Sequence, residues 1–120
     1  MRGLLLIDHG SRRADANAQV ADLAGRIASL RPDAVVGFAH LELAQPDIAS
    51  GVAGLVGRGA REIVGLLYFL SDGRHASEDV PRLLAQACAG HAGVSWRCGA
   101  VLGPDDALAR LLLERAGIRD

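Results

Sequence analysis

Residues that can bind a metal ion or transfer a proton follow three short apolar runs in this sequence. They are His9, then His40 and Glu42, then His75. Imidazole and carboxylate ligands together suit a first-row divalent ion such as cobalt, nickel, iron or zinc. Two histidines and one carboxylate leave coordination positions open for an incoming ligand, as metal transfer or catalysis requires. These residue types therefore favour an open metal site.

The two groups after the second run have different expected roles. His40 and Glu42 are two residues apart, so they share a face if the strand extends that far. Chemistry alone weakly favours Glu42 as the metal ligand. His40 would then support the ligand from behind or transfer a proton, although the opposite assignment of the two residues is not excluded. A neutral imidazole is a suitable base near pH 7. The fourth histidine, His91, precedes the last run and is expected in a solvated loop at the opposite edge.

Small residues and arginines beside the first and last of these histidines could bind an acidic ligand. The residues concerned are Gly10, Ser11, Arg12, Arg13 and Arg74. We expect Gly10 and Ser11 to open the first helix, where backbone N–H groups and guanidinium groups together bind carboxylate or phosphate well. One of Arg12 and Arg13 is expected merely to be solvated. The combination indicates an acidic ligand that also meets a metal ion.

Four apolar runs alternate with four helical patterns and would position these polar residues. The runs occupy residues 4–7, 34–39, 63–70 and 94–101. The first and third are continuous rather than alternating, as expected when helices cover both faces of a parallel sheet. We therefore predict a single α/β domain over residues 1–120, a three-layer α/β/α fold with a four-stranded parallel sheet. Because parallel strands end at one edge, the polar residues should converge there.

Proline, glycine and acidic residues agree with this alternation. The prolines expected in or near first turns of helices are Pro46, Pro81 and Pro104. The glycines expected just past helix ends, where a left-handed backbone is favoured, are Gly59, Gly90 and Gly117. Asp105 and Asp106 favour the positive end of the last helix.

Composition excludes several classes of function. The 120 residues carry a net charge of -1, which gives no electrostatic case for nucleic acid or a membrane surface. All 13 basic residues are arginine, so a Schiff-base lysine and a Walker-type phosphate loop are excluded. The apolar runs are too short for a membrane span or a signal peptide. Two cysteines, Cys88 and Cys98, form no disulfide framework, and a reduced, cytoplasmic protein is expected.

Several blocks of this sequence resemble the small sirohydrochlorin chelatases. The blocks are DHGSRR at 8–13, HLELAQP at 40–46, FL at 69–70, GRH at 73–75, EDVP at 78–81 and LGP at 102–104. That family comprises the short cobaltochelatases, their nickel-inserting relatives and the sirohydrochlorin ferrochelatases. One H-G-S motif is a weak indication, whereas all of these blocks in order along a β-α alternation are a strong one.

The resemblance implies a chelatase-like fold and insertion of a divalent metal into sirohydrochlorin, an acidic tetrapyrrole. It implies that His9 and His75 are catalytic and that Glu42 joins them on the metal. The metal, cobalt, iron or nickel, is then a substrate, and no tightly bound cofactor is expected. The residues expected to bind the tetrapyrrole are Gly10, Ser11, Arg12, His40, Gly73 and Arg74. Because longer relatives contain two such units, the resemblance also implies a homodimer.

Some features qualify the resemblance. Asp8 before His9 and the His-x-Glu pattern look most like the ferrochelatase branch, which favours iron. The chain lacks the C-terminal cysteine cluster of some plant-type members, so their iron-sulfur centre is not expected. The residues around His75 (Ser71-Asp72 and Ala76-Ser77) depart from the usual pattern and bear on substrate contact.

Three other interpretations compete with the chelatase. A metal-delivery module would keep the His/Glu site but would handle no tetrapyrrole. A histidine phosphatase is disfavoured because those enzymes place Arg immediately before His-Gly, whereas Asp8 stands there in this chain. An inactive chelatase-like domain is disfavoured by the presence of all three candidate ligands.

Overall fold

A computed structural model describes residues 1–118 as alternating strands and helices. The elements are β1 (Arg2–Asp8), α1 (Ala14–Leu30), β2 (Val35–His40), α2 (Ile48–Gly57), β3 (Glu62–Leu67), α3 (Val80–Ala89), β4 (Ser95–Cys98) and α4 (Asp106–Arg115). A single π-helical turn, His75–Asp79, leads directly into α3. Residues 119 and 120 of the predicted domain lie outside this description. The alternation confirms the predicted α/β class.

The four strands form one parallel sheet in the order β2-β1-β3-β4. Leu5, in the centre of β1, is aligned with Gly37 of β2 and Gly65 of β3. A Cβ atom at Gly65 would lie 2.9 Å from Leu84 Cδ1, so this glycine lets α3 approach the sheet closely. The parallel pairing of the four strands confirms the predicted four-stranded parallel sheet.

Helices cover both faces of the sheet and explain why β1 is apolar along its length. One face packs against α2 and α3, with Leu5, Ile7, Val52, Ile63 and Leu84 fully buried. The other face packs against α1 through Leu6, Val20 and Ala24. Successive residues of β1 thus alternate between two covered faces, and a polar residue at either face would lose its hydration. The arrangement is the predicted three-layer one.

The boundaries of some elements differ from the prediction. β3 ends at Leu67 rather than at residue 70, and β4 is limited to Ser95–Cys98. β4 pairs only with Glu62–Gly65 at the edge of the sheet, so it has few partners to extend it. Gly59 and Gly117 have the predicted left-handed backbone, with φ of 104° and 73°. Gly90 does not: its φ is -78°, and Gly93 adopts the left-handed conformation (φ 76°) in the following loop.

The last helix, α4, stands apart from the core. It contains no buried residue, and Leu112 on it is 64% exposed. Within residues 1–118, no strand or other helix makes extensive contact with α4. None of the described helices combines the length and the apolar character needed to cross a bilayer.

Candidate metal centre

The candidate ligands lie at the carboxyl ends of three adjacent strands. His9 follows β1, Glu42 lies two residues past β2, and His75 begins the π-helical turn after β3. Because the chain passes from β1 to β2 and then back across β1 to β3, the sheet reverses its order beside β1. Open parallel sheets bind ligands outside the strand ends at such a switch point. The topology therefore places both histidines where this fold forms binding sites.

The three side chains form a compact group of metal-binding atoms. One ligand atom from each of His9, Glu42 and His75 lies within 4.8 Å of the others. His9 Nε2 is 2.8 Å from Glu42 Oε1, and the two imidazole rings are 4.8 Å apart at an angle of 60°. Ligand atoms about 2.1 Å from a metal lie about 3–4 Å apart. Small side-chain movements would therefore bring all three onto one ion.

All three side chains are open to solvent. The exposed fractions are 43% for His9, 52% for Glu42 and 50% for His75. A small cavity of about 160 Å³ adjoins them and is lined by Leu41, Glu42, His75, Asp79, Arg82 and Leu83. This is smaller than the roughly 300–1,000 Å³ of typical small-molecule pockets. The group can thus hold an ion with its solvent ligands, while a larger ligand would have to lie over it.

Main-chain hydrogen bonds hold His9 against Glu42. The N–H groups of Leu41 and Glu42 donate to the carbonyl oxygens of Asp8 and His9, at 2.9 and 3.0 Å. Gly10 follows with φ of 95°, and a Cβ atom there would lie 1.9 Å from the Glu42 carbonyl oxygen. Only glycine allows the two segments to approach so closely. Gly10 therefore acts through the backbone, and its predicted role in substrate binding has no side chain to support it.

His75 has a partner that the sequence analysis did not identify. Its Nδ1 atom lies 2.8 Å from Asp79 Oδ2, one turn later, and Asp79 Oδ1 lies 3.5 Å from Arg82 Nη2. The hydrogen bond with His75, assisted by Arg82, lowers the pKa of the Asp79 carboxyl below its ordinary value. The spacing of four residues between His75 and Asp79 would indicate this contact only for a helical segment, which the hydrophobic pattern does not predict here.

His40 is not placed where a substrate could touch it. The side chain is 1% exposed, with Nδ1 2.6 Å from Asp8 Oδ1 and the ring edge against Phe38. β2 ends at His40, so His40 and Glu42 do not share a strand face; one is buried and the other is exposed. This burial gives the predicted contact between His40 and the substrate no support, and that contact stays a prediction. The buried position agrees with the other role expected for His40, that of a group behind the metal ligands.

The start of α1 also differs from the prediction. The helix begins at Ala14, so Gly10 and Ser11 lie in the preceding loop rather than in its first turn. The Ser11 N–H donates to Asn17 Oδ1 at 3.0 Å, and Asn17 Nδ2 donates back to the Ser11 carbonyl oxygen at 2.8 Å. Asn17 was not identified from the sequence. Because the Ser11 N–H is already bonded, the predicted anion site at this terminus loses one of its donors.

The arginines near the site differ in how closely their guanidinium groups are paired with carboxylates. Arg13 forms two hydrogen bonds with Asp15 and thereby lowers the pKa of that carboxyl, so its guanidinium group is already paired. Arg12 is exposed and forms no ion pair with residues 1–118. Arg74 is 83% exposed and lies 3.5 Å from Glu78. Arg12 and Arg74 are thus available to carboxylates of a ligand.

Gly73 contributes main-chain contacts only. Its carbonyl oxygen accepts hydrogen bonds from the N–H and hydroxyl groups of Ser77, at 2.9 and 2.8 Å. A Cβ atom at Gly73 would meet nothing within 4 Å, so space is left above it.

Proteins of similar sequence are metal chelatases by name. A sirohydrochlorin ferrochelatase of Arabidopsis thaliana, described as chloroplastic, is 34% identical over 113 residues, which are 94% of this chain and 50% of that protein. A sirohydrochlorin cobaltochelatase of Methanococcoides burtonii is 31% identical over 122 residues, 95% of this chain and 93% of that protein. The chain thus spans half of the plant relative and nearly all of the Methanococcoides one.

Solved structures have the same fold. A CbiX protein from Marinobacter aquaeolei VT8 superposes with a TM-score of 0.80 at 26% identity, over 98% of this chain and 95% of that one. The sirohydrochlorin chelatase SirB from Bacillus subtilis subspecies spizizenii, in complex with cobalt, gives a TM-score of 0.84 at 25% identity, over 97% of this chain and 50% of that one. The family model described as CbiX matches residues 3–118. Because that match covers almost the whole sequence, the chain belongs to the CbiX family.

Proposed function

We propose that this protein inserts a divalent metal, cobalt, iron or nickel, into sirohydrochlorin. The observation that carries the proposal is the open group formed by His9, Glu42 and His75, whose ligand atoms lie within 4.8 Å of one another. Relatives named as chelatases for this tetrapyrrole support the choice of substrate. Metal and tetrapyrrole are both substrates here, and no resident cofactor is part of the proposal.

In the proposed reaction the three side chains hold the ion before it is transferred. His9 Nε2 and Glu42 Oε1 are 2.8 Å apart, closer than two ligands of one ion, so these side chains would separate slightly to hold it. The half-exposed ligands leave its remaining positions to water and then to the pyrrole nitrogens. Two pyrrole protons must leave as the metal enters. A neutral imidazole accepts only one proton, so His9 and His75 each take one as the ion leaves their ring nitrogens.

The tetrapyrrole lies over the strand ends rather than in a closed pocket. The cavity beside the ligands, about 160 Å³, is too small for the macrocycle. Its carboxylates meet the guanidinium groups of Arg12 and Arg74, both of which are exposed. Charge-assisted hydrogen bonds of this kind orient an acidic ligand well. Arg12 and Arg74 are therefore the principal substrate-binding residues of the proposal.

The proposal includes a homodimer. A macrocycle resting on the ion exposes its other face, which a second copy of the chain would cover. Exposed leucines of α4 support the association, because Leu111, Leu112 and Leu113 are 40%, 64% and 49% exposed. Symmetric dimers are the commonest oligomers of soluble proteins. We place the dimer in the cytoplasm, where the free thiols of Cys88 and Cys98 remain reduced.

An anaerobic absorbance assay with sirohydrochlorin tests the proposal. Cobalt(II), nickel(II) and iron(II) are added separately to the purified protein, and insertion is followed through the change in the tetrapyrrole spectrum. The wild type should accelerate insertion above the uncatalysed rate, and folded His9→Ala and His75→Ala variants should not. His91→Ala removes a histidine outside the site and serves as the matched control, with an unchanged rate.

Two results would contradict the proposed reaction or the proposed role of His75 in it. Tight metal binding with no acceleration by any of the three ions would select the metal-delivery module instead. A folded His75→Ala protein with the wild-type rate would remove His75 from the mechanism.

A further inference from the structure

Asp79 is bound to His75 in a way that bears on which ring nitrogen can meet a metal. Asp79 Oδ2 lies 2.8 Å from His75 Nδ1, and the two residues are four apart on the π-helical turn. An ionised carboxylate only accepts hydrogen bonds, so Nδ1 must carry the proton in this contact. In the neutral ring the lone pair is then on Nε2. That nitrogen is then the one available to a metal ion.

The other contact of Asp79 is with a side chain of α3. Asp79 is the N-cap residue of that helix, yet its carboxylate accepts no hydrogen bond from the backbone N–H groups of the first turn. Its second oxygen lies 3.5 Å from Arg82 Nη2, which turns the carboxylate between His75 and Arg82. The side chain is 26% exposed, against 50% for His75, so it is the more buried of the two, and it also lines the cavity beside the site.

We propose that Asp79 is a positioning residue that fixes the tautomer and orientation of His75 so that Nε2 binds the metal. The inference rests on the proposed function only in that His75 is a metal ligand. A histidine ligand commonly donates its second N–H to a carboxylate, which orients the ring and makes the ligand nitrogen more basic. Without Asp79 the neutral imidazole is free to carry its proton on Nε2, which blocks the ligand atom.

A comparison of three variants in the whole protein tests this inference. Asp79→Ala removes the acceptor. Asp79→Asn keeps the shape of the side chain and one acceptor oxygen but removes the charge. Glu78→Gln is the matched control. Glu78 lies next in the chain and pairs with Arg74 rather than with His75. Cobalt(II) affinity is measured anaerobically without tetrapyrrole, so the result does not depend on chelatase activity.

The expected order of cobalt affinity is wild type and Glu78→Gln, then Asp79→Asn, then Asp79→Ala. Loss of such an orienting partner weakens metal binding by about 10- to 100-fold. Nitrogen-15 NMR of the metal-free protein should show His75 protonated on Nδ1 in the wild type and shifted toward the Nε2-protonated form in Asp79→Ala. A general loss of structure would not select one tautomer, and it would appear in the circular dichroism spectrum.

Three outcomes would overturn the inference. The first is an unchanged cobalt affinity in folded Asp79→Ala. The second is weaker binding with no change in the His75 tautomer. The third is a cobalt(II) absorption spectrum that indicates a lost ligand in Asp79→Asn, since Asp79 would then bind the metal itself. An inactive wild type that binds cobalt as described would contradict the proposed function and leave the role of Asp79 standing.

Discussion

The carboxylate of Asp8 and the buried imidazole of His40 lie 2.6 Å apart, directly behind His9 and Glu42. The two residues are also aligned partners in the sheet, at the last positions of β1 and β2. Their contact therefore ties together the two strand ends that carry His9 and Glu42. Since His40 Nε2 is buried without a hydrogen-bond partner among residues 1–118, Asp8 supplies the only side-chain bond that the ring has.

Asp8→Ala should destabilise the metal-free protein by about 1–3 kcal/mol, because it leaves a second buried nitrogen of His40 without a partner. The double variant Asp8→Ala/His40→Leu removes both polar groups and should be more stable than the sum of the two single changes predicts. Urea unfolding of the four proteins measures the coupling. Strictly additive effects would mean that the hydrogen bond contributes nothing to stability.

Gly10→Ala should damage the metal site through the backbone. The new Cβ would collide with the Glu42 carbonyl oxygen, and the left-handed conformation of residue 10 would cost about 1–2 kcal/mol. We expect cobalt affinity to fall by about 10- to 100-fold as Glu42 moves from His9. Gly25→Ala, in open space on α1, is the control and should be about 0.5–1 kcal/mol more stable with unchanged affinity. Equal affinities in both variants would argue against the close approach at Gly10.

Asp47→Ala should lower stability in a pH-dependent way. Asp47 caps α2 by accepting a hydrogen bond from the Ser50 N–H at 2.8 Å, and that bond lowers the pKa of its carboxyl in the folded protein. A lowered pKa stabilises the folded state above the unfolded value, about 3.9, and the contribution is lost as pH falls through the folded pKa. We expect a loss of about 1 kcal/mol near pH 7 that shrinks near pH 3.

Asp105→Ala provides the comparison for Asp47→Ala, because Asp105 caps α4 in the same way. α2 buries Ile48, Val52 and Leu55, whereas α4 buries nothing. Loss of the α4 cap should therefore change global unfolding in urea much less than loss of the α2 cap. Equal effects would show that α4 unfolds together with the core.

Leu112→Glu should separate the proposed dimer into protomers. The side chain is 64% exposed on α4, and a charge there would have to be desolvated in an interface. Leu30→Glu, at the end of α1 and 79% exposed, is the control and should stay dimeric. Light scattering after size-exclusion chromatography gives the masses. A dimeric Leu112→Glu protein would place the interface elsewhere, and cobalt binding should be retained in both variants.

The sheet and the meeting of three side chains at its edge could be predicted from the sequence. Continuous apolar runs require cover on both faces, and parallel strands deliver whatever follows them to one edge. His9, Glu42 and His75 each stand within a few residues of such a run, with the longest connection before His75. Their proximity thus follows from topology, without knowledge of side-chain packing.

Burial and local bonding could not be predicted in the same way. His40 is buried because β2 continues to that residue and Phe38 packs against its ring, which depends on a strand end that periodicity places only roughly. Asn17 reaches back to Ser11 only because α1 begins at Ala14. Asp79 meets His75 because the chain forms a π-helical turn, which hydrophobic spacing does not indicate. These contacts depend on backbone detail finer than the sequence pattern.

The isolation of α4 has a consequence for the dynamics of a single protomer. A helix of ten residues without a buried side chain gains little from tertiary packing, and helices shorter than about 12–15 residues are marginal in water. In a lone protomer the amide hydrogens of α4 should exchange with solvent far faster than those of β1 and β3. If a second copy covers the helix, their exchange should slow as protein concentration rises. The exchange rates of the ten α4 amides would then report how much of the protein is dimeric.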